Sequence, residues 1–66
     1  MTNEEFQKAE AAELSKLPEA FRSAVSWECY DRGHAYGHEE VLNHIRSTVA
    51  WLLPCIEAHD AARAAA

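Results

Sequence analysis

A chain of 66 residues is one domain at most and marginal as a monomer, because so short a chain buries too little of its own surface. Its net charge of −5, with 11 acidic residues against 6 basic ones, argues against nucleic acid binding, which needs clustered Lys and Arg to displace counterions; the same charge suits solubility and a basic protein partner. No apolar run approaches the roughly 18 residues of a membrane span, and the acidic opening "MTNEEFQ" lacks the apolar segment of a secretory signal, so the expectation is a cytoplasmic chain with Cys29 and Cys55 as free thiols.

Residues 1–17 read as a weak helix or arm. Thr2 and Glu5 have the spacing of a capping box, and "KAEAAELSK" consists of good helix formers. The apolar stripe is thin, only Phe6, Leu14 and Leu17. Such a segment is either a docked helix or an arm that orders against another chain.

Residues 18–66 read as a helical hairpin, with helices at about 18–32 and 38–60 and a turn at 33–37. Pro18 suits a first helical turn, where its missing N–H costs nothing. Glu19 beside it favours the positive end of the helix dipole. No breaker follows until Gly33, and Glu28 and Arg32 are spaced to pair on the surface. In the second helix Val41, Leu42, Ile45, Val49, Leu52, Leu53 and Ile56 form one stripe at helical spacing. Pro54 interrupts that helix and predicts a bend, or a stop and restart. The tail "AHDAARAAA" has nothing large to bury and is expected to fray.

The segment "DRGHAYGHEE", residues 31–40, separates the two apolar stripes. At about 100° per residue, the second stripe continued backward passes through His38, His34 and Asp31, which is no core. Phe21, Val25 and Cys29 face another way, rotated by more than about 120°. A break lets both faces meet. Arg32 then lies in a last turn, Gly33 fits the left-handed position past a helix end, and Gly37 is an acceptable N-cap. Glu39 and Glu40 follow in a first turn, where Glu40 can reach back. The rival reading is one long helix with Gly33 and Gly37 as a groove for a crossing helix, at a cost of about 2 kcal/mol in propensity.

Phe21, Val25, Val41, Leu42, Ile45, Val49, Leu52, Leu53 and Ile56 are enough for one apolar face on each of two helices, not for a closed monomeric core. The fold expected is therefore all-α: an antiparallel hairpin with an N-terminal helix or arm, dimerising into a helical bundle. A disulfide between Cys29 and Cys55 is implausible in it, because the two lie about 20 Å apart along the axis.

Chemistry-bearing motifs are sparse. His34 and His38 have the spacing of a metal pair on one helix face, with Cys29 or Glu39 as further ligands, but "HEEVLN" has Asn43 where a zinc-protease motif needs histidine. A polar turn with solvated histidines accounts for the same residues, and no metal or other cofactor is expected. No phosphate loop occurs, and so small a hairpin offers little pocket for catalysis. The aromatics are more informative. Trp27 and Trp51 lie off the main apolar faces, Tyr30 shares the side of Trp27, and Tyr36 lies in the turn. These rings either fill a dimer core from the flank or anchor another protein, with Asp31, Glu39 and Glu40 as an acidic rim.

The stretch "LPEAFRSAVSWECYDRGHAYGHEEVLNHI" followed by "LLPCIEAHD", residues 17–60, resembles short helical accessory proteins encoded by phages and prophages. In size and organisation the chain is also similar to the quorum-sensing anti-activator of Mu-like transposable phages. That resemblance implies a homodimeric inhibitor that occupies the surface of a host protein, such as a LuxR-type transcription regulator or a pilus assembly ATPase. Two alternatives stand beside it: a binder of small molecules or signalling nucleotides, with Arg32, His34 and Tyr36 at a site between protomers, and a purely structural phage component.

Overall fold

The computed structural model describes residues 1–65, and these are helical almost throughout, with no strand among them. The first helix, α1, spans Asn3–Leu14. Its start is the capping box: Thr2 Oγ1 accepts the Glu5 N–H at 3.1 Å, and Glu5 Oε1 accepts the Thr2 N–H at 3.1 Å. Two orphaned donors of the first turn are thereby satisfied. The helix is docked along its length. Leu14 and Leu17 are buried, the Phe6 ring stacks on His38 with centroids 4.5 Å apart, and Ser26 Oγ donates to Glu10 Oε2 at 3.5 Å. The loose-arm alternative is therefore set aside. Leu17 is only 1% exposed, and the turn around it is held by Arg22, whose Nε donates to the Leu17 carbonyl at 2.9 Å and whose Nη2 donates to the Ser15 carbonyl at 3.4 Å.

The second helix, α2, spans Glu19–Gly33, a short 3-10 turn covers His34–Tyr36, and α3 runs His38–Ala65. Pro18 stands just outside α2, its carbonyl accepting the Phe21 N–H at 3.0 Å. Glu28 and Arg32 pair at 2.8 Å, both on the surface, where such a pair contributes only a few tenths of a kcal/mol, roughly. The chain breaks after Gly33, so the single-long-helix alternative is excluded for these residues.

Gly37 stands as the expected N-cap of α3, its carbonyl accepting the Val41 N–H at 3.3 Å, but the left-handed role expected of Gly33 does not fall to it. Gly33 is right-handed, with φ −112°, and is the last residue of α2 rather than the left-handed residue beyond it. Its need is for space: a Cβ there would stand 2.7 Å from the Val41 nitrogen and 2.8 Å from its Cα, so only glycine lets α2 approach the start of α3 this closely. The positive φ falls at Gly37, at 107°, a region glycine enters without steric cost. Glu39 and Glu40 do lie in the first turn of α3. The Glu40 carboxylate turns along the helix to His44, at 3.6 Å, rather than back to the cap.

α3 continues through Pro54 and past residue 60, to Ala65, so neither the stop at Pro54 nor the end near 60 holds. The proline removes the bond to the Ala50 carbonyl. Ala50 and Pro54 both lie on the exposed side, where solvent can take the freed carbonyl.

Val25 and Cys29 of α2, Val41, Leu42, Ile45 and Val49 of α3, and Leu14 and Leu17 from α1 and its link form the buried core. The last two do not stand in the core expected from the hairpin stripes. Burying each large aliphatic chain contributes about 1.5–3 kcal/mol. Cys29 is 1% exposed and its Sγ lies 3.6 Å from Thr48 Oγ1. Leu52, Leu53 and Ile56 pack against this core but are only partly buried, and Phe21 is 40% exposed. The molecule is elongated, 45 × 19 × 16 Å; α3 alone, at 28 residues, accounts for about 42 Å of that length.

Candidate functional site

Trp27 and Tyr30 of α2 and His34, the residue that caps its end, recur at spacings of three and four residues, so they share one face. Val25 and Cys29, which point into the core, occupy the opposite side. The three rings form a ladder. Trp27 meets Tyr30 edge-on, centroids 6.4 Å apart at 86°, and Tyr30 stacks on His34 at 5.0 Å and 16°. Edge and offset-stacked contacts are the arrangements the ring quadrupoles favour. His34 Nδ1 lies 3.0 Å from the Tyr30 carbonyl, which fixes the end of the ladder.

This ladder is an exposed feature. Trp27 is 67% exposed, Tyr30 48%, and Tyr36, in the 3-10 turn beyond, 81%. Glu10 of α1 and Ser26 border a shallow groove against Trp27 and Tyr30. Asp31, one turn after Trp27, is exposed on the same side. The result is an aromatic strip edged by two carboxylates, one from each of α1 and α2. Sequence spacing identifies the strip; the contribution of Glu10 depends on how α1 docks and has no local signal.

Trp51 is elsewhere. It is 60% exposed and lies over the seam between α2 and α3, in a groove lined by Ala24, Val25, Glu28, Thr48 and Leu52. No residue of α1 lines that groove. The expected contact set thus divides: Trp27 and Tyr30 are brought together, Tyr36 follows at the turn, and Trp51 belongs to a separate face. Glu39 is exposed and Glu40 half-buried at the start of α3.

The histidines of the turn engage different elements. His34, opening the 3-10 turn, stacks on Tyr30 of α2, whereas His38 stacks on Phe6 of α1. Among the described residues no three His, Cys, Asp or Glu side chains converge as metal ligands would. Of the residues considered for a nucleotide site, Arg32 bonds Glu28 and His34 bonds the Tyr30 carbonyl, both at the surface. Cys29 and Cys55 are both free thiols, the first buried and the second exposed. No helix among the described residues is long and apolar enough to cross a membrane.

No family model matches the sequence, and neither a curated protein nor a solved structure matches it. The functional reading therefore rests on the chemistry of these two faces.

Proposed function

We propose that this chain is an interaction protein that inhibits a partner by occupying its surface, in the manner of the phage-encoded inhibitors it resembles. The working unit in this reading is an antiparallel α2–α3 hairpin with α1 docked on it, paired with a second copy. The observation that carries the proposal is the exposed Trp27–Tyr30–His34 ladder flanked by Glu10 and Asp31. Rigid aromatic rings are the usual anchors of protein interfaces. An acidic border selects a basic partner, and the ring faces attract Arg and Lys, each such contact contributing about 0.5–2 kcal/mol according to how dry it becomes. The net charge of −5 speeds encounter with such a partner at low salt.

The resemblance supplies the candidates: a LuxR-type transcription regulator and a pilus assembly ATPase of a bacterial host. The test is affinity capture from host lysate, and direct binding to those two proteins, with wild type and with Trp27→Ala and Tyr30→Ala. Loss of one basic partner in both variants, with unchanged helical circular dichroism, supports the reading. A partner held equally by all three proteins sinks it. A thermal shift with nucleotides and none with any protein would instead favour the small-molecule alternative.

A further inference from the structure

We propose that the α2–α3 seam on the side α1 leaves open is the surface through which two copies of this chain pair. The seam carries three shallow grooves running end to end. Pro18, Phe21, Cys55 and Ile56 line the first. Val25, Trp51 and Leu52 line the second, and Glu28, Arg32, His44 and Trp51 the third. No α1 residue lines any of the three. Phe21 and Trp51, 40% and 60% exposed, are the large apolar groups standing in it.

The seam differs from the rest of the molecule in charge. Glu28 and Asp60 are balanced there by Arg32 and Arg63, whereas the chain as a whole carries −5. Two copies meet through this face without setting like charges against each other at the contact, although each chain carries −5 overall. The aromatic ladder of α2, bordered by Glu10 and Asp31, would instead set acid against acid. A second copy is thus the occupant that the seam fits and the ladder does not.

Area points the same way. The single chain exposes 4769 Å², against about 4200 Å² for a compact monomer of this mass. Its radius of gyration is 13.2 Å, against about 11 Å for a compact chain of this length. From His44 to Arg63 the seam is about 28 Å long, and with the shortest dimension of 16 Å it presents roughly 450 Å² in projection. Covering it on both copies buries on the order of 1,000 Å² once side-chain relief is included, the size at which an association becomes specific. A two-fold contact centred near Val25 and Leu52 places the same patch on both sides and completes the cover over Leu52, Ile56 and Phe21.

The inference concerns self-association and leaves the ladder of α2 free, so it rests on the proposed function only in the choice of which face stays open. The full chain is examined by sedimentation equilibrium over a range of concentrations. Twice the 7.4 kDa chain mass is expected, with Trp51→Ala raising the dimer dissociation constant about ten-fold or more, as loss of a central aromatic does. Trp27→Ala remains dimeric whether or not it loses a partner. Phe21→Glu, at the opposite end of the seam, gives the same dissociation with helical circular dichroism retained. A short bismaleimide joins two wild-type chains through Cys55, one turn from the centre, and joins none of the Cys55→Ser chains. A monomeric wild type, a dimer indifferent to Trp51 and Phe21, or a dimer that Cys55 does not crosslink overturns the assignment.

Discussion

Replacing Gly33 by alanine tests how closely α2 and α3 approach. The added Cβ would lie 2.7 Å from the Val41 nitrogen, 2.8 Å from its Cα and 3.0 Å from the Glu40 carbonyl carbon. All three are backbone atoms, so no side-chain rotation relieves the overlap; the start of α3 must retreat by several tenths of an ångström. Overpacking of this kind costs about 1–3 kcal/mol. Alanine recovers about 1 kcal/mol through propensity only in a helix interior and less at Gly33, the last residue of α2, and the right-handed φ of −112° adds no backbone strain. The net expectation is a loss of about 1–2 kcal/mol. For a domain of this size that lowers Tm by roughly 10 °C, out of a total stability on the order of 3–10 kcal/mol. Urea and thermal unfolding followed by circular dichroism measure it directly. A Gly33→Ala protein as stable as wild type, or more so, would show that helix propensity outweighs the contact and that the helices do not meet as described.

Pro54→Ala restores a hydrogen bond to Ala50 inside α3 and is expected to raise stability by about 1–3 kcal/mol; a lower melting temperature would mean the proline is required for the helix path. Thr2→Ala removes one half of the capping box and is expected to lower stability by about 0.5–1 kcal/mol. The Thr2 backbone N–H, then its side chain, hold the Glu5 carboxyl below its ordinary range. A depressed carboxylate contributes stability above its unfolded pKa and loses it as pH falls through the folded one. An NMR titration should therefore find Glu5 titrating below the ordinary glutamate range in wild type and moving upward in Thr2→Ala; no movement would exclude the side-chain contribution. With a thiol reagent, Cys55, exposed in the single chain, reacts before the buried Cys29, which reacts only on unfolding, and two equally fast thiols would contradict the packing of Cys29 against Thr48.

The features legible beforehand are those with short-range causes. The capping box, the Glu28–Arg32 pair and the break ahead of His38 each involve residues within about one turn of one another, so propensity and spacing suffice. The buried Val25, Val41, Leu42, Ile45 and Val49 followed from helical periodicity. Leu14 and Leu17 were harder, because a stripe of three apolar residues does not say whether a helix docks. Their burial depends on α3 offering a surface and on Arg22 bonding back to the Leu17 and Ser15 carbonyls. Gly33 lies inside the end of α2 rather than in the left-handed position just past it, and its requirement is a close approach between helices, which leaves no trace in local chain chemistry.

Sequence alone determined the helical class, the helix starts, the acidic charge and the presence of aromatics that no core face claims. Tertiary structure decided that those aromatics serve two surfaces. Trp27 and Tyr30 form a ladder beside Glu10 of α1, while Trp51 stands over the α2–α3 seam. The physical reason is that helical periodicity sets a side chain's direction about its own axis, whereas which neighbour it meets depends on where α1 packs. That placement is fixed by contacts as distant in sequence as Phe6 on His38 and Glu10 on Ser26.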